Sequence, residues 1–138
     1  ALIEYYAPLA EDAGVTLARD GEARLEGDRH MLRRALSNLL DNALRFTPAA
    51  GEIRVSIEVK ERQVRLQVAN TGKPIDPALL PRLFDRFYRA DPARREGSSE
   101  HAGLGLAITR SIVQAHGGTI RGESSGGWTR FVIELPMA

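Results

Sequence analysis

Four groups of residues have types and spacing that could do chemistry. Asn38, Asp41, Asn42 and Arg45 stand at i, i+3, i+4 and i+7, which places them on one face of a helix. A face left to water is normally Glu, Lys or Gln, since Asn inside a helix costs roughly half a kcal/mol relative to Ala. Two amide oxygens one turn apart are hard, neutral donors of the kind Mg²⁺ takes, and Arg45 one turn further on could meet a phosphate. A solvated polar face is the ordinary alternative. The second group is Asn70-Thr71-Gly72-Lys73-Pro74-Ile75. It reads either as a plain turn or as a polar side chain beside a glycine that hydrogen-bonds the edge of a planar ligand. The third interleaves Phe84, Phe87 and Tyr88 with Arg82, Arg86 and Arg89. Aromatics at helical spacing are more often core than surface. Stacking on single-stranded RNA is the other use, but no strand-borne aromatic pattern accompanies it. The fourth is Gly103-Leu104-Gly105-Leu106-Ala107-Ile108. Glycines at a helix start let the backbone approach a ligand, and the free N–H groups attract phosphate. No Gly-Lys-Ser/Thr follows, and Ile108 stands where a dinucleotide fingerprint needs Gly, so neither a P-loop nor a Rossmann turn is present.

These groups need elements to hold them. The segment after Asp28, free of Gly and Pro until Pro48, reads as the clearest helix. Asp28 is its predicted N-cap, Leu32, Ala35, Leu36, Leu39, Leu40 and Ala43 form its core stripe, and Thr47-Pro48 closes it. Residues 53–59 and 64–68 alternate as an antiparallel hairpin with one buried face. A helix over 104–116 ends at Gly117-Gly118, and a second hairpin over 119–135 places Thr129, Phe131, Ile133 and Leu135 on one face. The first dozen residues predict a short helix with Leu2, Ile3, Tyr6 and Leu9 on one side, which Pro8 should interrupt outside its first turn. Short strands are expected at 15–18 and 23–26, around the Asp20-Gly21 turn. The sum is an α+β fold, a two-layer sandwich in which a mixed, mostly antiparallel sheet is covered on one face by helices.

Composition bounds the reading. The chain has 138 residues, 43% hydrophobic and 27% charged, enough for one domain with one core. It has no cysteine, so neither a disulfide framework nor a thiolate metal site is available. No apolar run reaches the roughly 20 residues of a membrane span, and the first residues do not read as a signal peptide. A net charge of +1 argues against nucleic acid as partner. The segment 82–95 nevertheless holds five arginines and calls for a local anion.

Taken in order, the groups resemble the ATP-binding catalytic domain of bacterial sensor histidine kinases, which shares its fold with gyrase B and the ninety-kilodalton heat-shock chaperones. The run from Asn38 to Thr47 looks like the asparagine box. Asn70 to Ile75 is similar to the first glycine box, Leu83 to Arg89 to the phenylalanine box, and Gly103 to Ile108 to the second glycine box. The resemblance covers nearly the whole chain. It implies that Asn42 binds the Mg²⁺ bridging the ATP phosphates, with Asn38 alongside and Arg45 on phosphate. Asn70 would receive the adenine amino group, Gly72 give the ring room, Ile75 pack on it, and Phe46 and Thr129 line its side. Gly103, Leu104, Gly105 and Leu106 would offer backbone N–H groups to the phosphates. Residues 89–102 would form the ATP lid, with Arg89 favoured over Arg86 as a phosphate ligand.

Two positions depart from the family pattern. Asn70 replaces the usual aspartate and Pro74 a usual glycine, so the adenine amino group meets an acceptor without full charge and ATP affinity is differently tuned. His101 stands where a further glycine is frequent. Asn-x-Gly-x-Pro followed by Phe-Asp-Arg-Phe-Tyr-Arg looks most like the heavy-metal (copper or silver) sensing branch. Hydrolysing relatives carry a glutamate where Asn38 stands, and an amide is no general base, which favours phosphoryl transfer to a protein. His30, His101 and His116 are the histidines, and none has the family's phosphoacceptor context. The resemblance therefore implies a fragment, 1–138, of a larger kinase whose phosphoacceptor hairpin is elsewhere. It also implies a response regulator as downstream partner, a monomeric fragment of a homodimeric kinase, a cytoplasmic domain of an inner-membrane protein, and no self-phosphorylation. A non-catalytic nucleotide-sensing module and a Ser-directed kinase or ATPase of the same superfamily remain alternatives.

Overall fold

The computed structural model describes residues 2–21, 29–72, 76, 78–84 and 105–136. Along the chain run α1 (Leu2–Asp12), β1 (Thr16–Asp20), α2 (Arg29–Phe46), β2 (Glu52–Lys60), β3 (Gln63–Thr71), a 3-10 helix (Leu80–Phe84), α3 (Gly105–Ala115), β4 (Thr119–Ser125) and β5 (Trp128–Pro136). The strands form a five-stranded sheet in the order β1-β2-β3-β5-β4. All neighbours are antiparallel except β1 and β2, which pair in parallel. A parallel pair needs a crossover, and the connection containing α2 supplies it. The expected strand at 23–26 and the Asp28 cap lie outside the described residues.

Alternation decides which face is dry. Ile53, Val55, Val64, Val68, Phe131, Ile133 and Leu135 sit on the helix side, where Leu39, Leu40, Ala43 and Val113 meet them, and all are buried. The stripe predicted for α2 is this contact surface. The face is dry only over its middle: Val59, at the end of β2, is 49% exposed. The opposite face is mostly charged around the buried Ala69 and Val132, and it largely neutralises itself. Arg65 pairs with Glu58 and Glu134, Arg121 with Glu123 and Glu134, and Arg54 with Glu52. Hydrogen bonds from Arg121 and Arg65 hold the Glu134 carboxyl below the ordinary glutamate value.

Local chemistry sets the turns. Gly126 and Gly127, at φ 60° and 81°, join β4 to β5 as a two-residue turn, the conformation that a tight hairpin requires. Both α1 and α3 end on a left-handed glycine, Gly14 (φ 72°) and Gly117 (φ 76°). In each the next amide reaches back five residues, Val15 to Ala10 and Gly118 to Val113, satisfying a carbonyl at the helix end.

Helix α1 differs from its expected form in two ways. It runs through Pro8, and Leu9 is 43% exposed while Tyr6 and Ala10 are buried. Tertiary contact explains both: Tyr6 and Ala10, one turn apart, dock on the core, and that burial offsets the backbone bond which Pro8 cannot make.

Candidate functional site

The C-terminal half of α2, the end of β3 and the beginning of β5 converge at one edge of the sandwich. Asn70 and Thr129 are directly opposite each other in the β3–β5 register, and each is only 5% exposed. Two polar side chains on an otherwise apolar face are costly unless they have partners. The Asn70 amide nitrogen donates to the Thr71 carbonyl at 3.1 Å. That bond fixes the amide, because only its NH2 can face a carbonyl, and it leaves Oδ1 as an acceptor.

Gly72 closes this corner. A Cβ there would lie 3.2 Å from the Phe46 carbonyl and 3.6 Å from the Asn70 amide nitrogen, so the missing side chain keeps open a gap between the strand end and α2. The Gly72 amide also donates to the Gly127 carbonyl at 3.2 Å, tying the strand end to the β4–β5 turn. At the rim, Phe46 is 39% exposed, and the Arg45 guanidinium lies 5.8 Å from its ring centroid. An exposed aromatic beside a buried acceptor and a side-chain-free strand end has the shape and chemistry for a planar, amino-bearing ring.

The phosphate-type groups share the C-terminal turns of α2. Asn42 and Arg45 are half-buried, and among the described residues neither has a hydrogen bond or an ion pair. Asn38, one turn earlier, is engaged: its amide nitrogen donates to the Gly105 carbonyl at the start of α3, at 3.3 Å. The glycine-led helix is thus held against the asparagine-bearing one. Leu106, half-buried, packs against the core.

Not every sequence expectation falls here. Asp41 does not share the ligand face, because its carboxylate accepts from the Tyr6 hydroxyl of α1 at 2.7 Å. Adjacent helix positions are about 100° apart, so Asp41 and Asn42 face different neighbours. Phe84 is core, 4% exposed, with its ring edge-on to Phe131 at 5.9 Å and Arg110 over it at 6.0 Å. Ile75, Pro74, Arg86, Phe87, Tyr88, Arg89, His101, Gly103, Leu104 and the expected lid at 89–102 lie outside the described residues.

Three participants were not expected at the site from sequence. Tyr6 ties α1 to Ser37 and Asp41. Thr109, 0% exposed, donates to Gly105. Arg110 covers Phe84. Thr109 had a legible signal, a polar residue in the apolar stripe of α3; the other two depend on contacts distant in sequence.

Residues 27–138 match the family described as histidine kinase-, DNA gyrase B-, and HSP90-like ATPase. Among curated proteins, the chain is 52% identical over 136 residues to the sensor histidine kinase CusS of Escherichia coli O157:H7, covering 98% of this chain and 28% of that protein. It is 51% identical over 112 residues to the probable sensor kinase SilS of Salmonella typhimurium, covering 81% of this chain and 22% of that protein. Among solved structures, the catalytic domain of histidine kinase ThkA superposes with a TM-score of 0.85 at 27% identity, over 98% of this chain and 87% of that one. Full-length ShkA in complex with AMPPNP superposes with a TM-score of 0.83 at 29% identity, over 99% of this chain and 28% of that one.

Proposed function

The chain belongs to the histidine kinase-, DNA gyrase B-, and HSP90-like ATPase family, and from that premise we propose that it is the Mg·ATP-binding catalytic domain of a two-component sensor kinase. Its substrate is ATP, and its product is a phosphohistidine on a dimerisation and phosphotransfer domain of the same kinase. The phosphorus–oxygen bond to ADP breaks as a phosphorus–nitrogen bond to the imidazole forms. The observation that carries this reading is the corner where Asn70, Thr129 and the bare Gly72 meet the end of α2 at Phe46, beside Arg45 and one turn from Asn42.

Both groups that the reading requires fit the residues present. Adenine fits the corner because Asn70 Oδ1 can accept its amino group, Gly72 offers no Cβ to block the ring, and Phe46 stands at the rim. For Mg²⁺ the test is the donor set. No cluster of three or more His, Cys, Asp or Glu that could hold a metal occurs among the described residues. Asn42 offers one hard amide oxygen, which suits a cation held mainly by phosphate oxygens and water. When bound, Mg²⁺ supplies charge neutralisation between the phosphates. Arg45 places a fixed positive charge nearby, and backbone N–H groups at the start of α3, with Gly103 and Leu104 before it, receive the remaining phosphate oxygens. Arg89 and Ile75 complete the expected ligand set. Catalysis is then positioning and charge stabilisation of the transferred group.

Transfer rather than hydrolysis is supported by Asn38. An amide cannot take a proton from water, and its nitrogen is engaged by Gly105. The chain spans 28% of the length of CusS, so the remaining parts of the proposal concern a larger protein: a homodimeric kinase anchored in the bacterial inner membrane, this domain on its cytoplasmic side, a heavy-metal stimulus as in the branch its boxes resemble, and a response regulator that receives the phosphoryl group. The ThkA kinase has been solved in complex with the response regulator TrrA, and this chain superposes on that kinase with a TM-score of 0.82 at 26% identity. Among the described residues no helix is long and apolar enough to cross a membrane.

A chimera tests the proposal. The matched 136 residues of CusS are replaced by this chain, and both the chimera and the isolated chain are incubated with γ-labelled ATP. Label on the chimera and none on the isolated chain is the expected result. Label on His30, His101 or His116 of the isolated chain, or none on a folded chimera, would overturn it.

A further inference from the structure

Two side chains from two different helices converge on one backbone carbonyl. The Asn38 amide of α2 donates to the Gly105 oxygen at 3.3 Å, and the Thr109 hydroxyl of α3 donates to the same oxygen at 2.8 Å. The Thr109 hydroxyl also lies 3.5 Å from the Ala35 carbonyl of α2. Thr109 is 0% exposed, between Ala107 and the core residues Ile112 and Val113. A threonine that returns its hydroxyl to the carbonyl four residues back is ordinary in a helix. Here, however, that carbonyl belongs to the first residue of α3, and it is also the point where α2 takes hold of α3.

We propose that Thr109 is a positioning residue for the phosphate half of the nucleotide site, holding the Gly105 carbonyl where Asn38 can reach it and so fixing the start of α3 against Asn42 and Arg45. This rests on the nucleotide-binding reading above and assigns a residue that makes no contact with the nucleotide. The physical reason is leverage at a helix end. The first turn of a helix leaves its N–H groups without intrahelical partners, while its carbonyls point into the helix. The Gly105 carbonyl is where side chains of both helices meet, so these bonds tie the start of α3 to α2. Adenine recognition at Asn70, Gly72 and Thr129 lies on the strands and does not pass through this seam. Loosening the seam weakens what holds phosphates and leaves what holds the base.

The test uses that separation. Mg·ATP and AMP affinities are measured by calorimetry for the wild-type chain, Thr109→Val and Thr109→Ser, each with a thermal melt. Thr109→Val keeps the shape and removes the hydroxyl. Its ATP-to-AMP affinity ratio is expected to fall about threefold to tenfold, with a melting temperature within a few degrees of wild type. Thr109→Ser keeps the hydroxyl and removes a buried methyl. Its ratio is expected to stay at the wild-type value while its melting temperature falls by a few degrees. A purely structural role predicts a ratio that stays at the wild-type value in both variants. An unchanged ratio in Thr109→Val, or an equal fall in Thr109→Ser, would overturn the proposal. If Thr109→Val does not fold, Thr109→Ala takes its place, with a fallen ratio supporting the proposal and an unchanged one refuting it. A wild-type chain that binds neither nucleotide would instead refute the nucleotide reading, and this proposal with it.

Discussion

Adding one methyl group at Gly72 examines the adenine corner directly. A Cβ there would sit 3.2 Å from the Phe46 carbonyl, 3.6 Å from the Asn70 amide nitrogen and 3.9 Å from Pro48 Cδ. The first distance is a few tenths of an ångström too short, and the neighbour is backbone at the end of a helix, which does not yield like a side-chain tip. Overpacking of this size costs about 1–3 kcal/mol, and the stiffer unfolded chain returns about 0.4–1 kcal/mol. A net loss of about 1 kcal/mol lowers the melting temperature of a chain this long by about 3–4 °C. The strain lands on the strand end and on Asn70, so ATP affinity should fall by about tenfold, the equivalent of about 1.4 kcal/mol. Gly122→Ala is the control away from the corner. Its Cβ would meet Phe131 Cε1 at 3.3 Å and Leu80 Cδ2 at 3.5 Å, side-chain atoms that can give, on the β4 side of the sheet. Both variants are melted and titrated with Mg·ATP. A smaller melting loss in Gly122→Ala and an affinity loss confined to Gly72→Ala are expected. Equal affinity changes in the two variants, or none in Gly72→Ala, would refute the placement of the adenine corner.

Two further outcomes follow from single side chains. Asn70→Asp puts a full charge on the adenine acceptor, and charge-assisted bonds are roughly twice as strong as neutral ones, but it also turns a carboxylate oxygen to the Thr71 carbonyl that the amide nitrogen donates to; tighter ATP binding with a lowered melting temperature is expected, and weaker binding at an unchanged melting temperature would place the amino group elsewhere. Glu134 has a carboxyl pKa lowered by Arg121 and Arg65, so its stabilisation is present above the unfolded value near 4.5 and is lost as pH falls through the folded one. In low salt, Glu134→Gln should melt below wild type at pH 7, with the difference shrinking as pH falls below 4.5; a difference that stays constant as the pH is lowered would contradict this assignment.

How much of this was legible in the sequence depended on the range of the interaction. The Leu39, Leu40 and Ala43 stripe and the alternation from Ile53 to Val68 are short-range periodicities, and the structure repeats them with burial where expected. Turn chemistry was equally local, since Gly126-Gly127 can hardly be anything but a tight hairpin turn. Site residues such as Asn70 and Thr129 could be named individually from the resemblance. Their register opposite each other could not, because β3 and β5 are joined by the whole of α3 and β4. The path of α1 through Pro8 and the exposure of Leu9 were illegible for the same reason: Tyr6 docks on Ser37 and Asp41, more than thirty residues away. Asp41 was misplaced because spacing alone treats i+3 and i+4 as one face. The Tyr6 hydroxyl, which spacing cannot reveal, separates them.

Binding of Mg·ATP through the asparagine-bearing helix turns on Asn42. Asn42 is half-buried, with no hydrogen-bond partner among the described residues, so Asn42→Ala removes a ligand without leaving a broken network behind. Calorimetric titration of ATP into wild type and Asn42→Ala, with Mg²⁺ and with a chelator, is the most direct measurement. Wild type should bind ATP more tightly with Mg²⁺, and Asn42→Ala should lose about tenfold or more of that affinity while the two proteins become similar in chelator. A wild-type chain that does not bind ATP, or an Asn42→Ala variant that keeps the full gain from Mg²⁺, would rule out Asn42 as the residue that holds the cation.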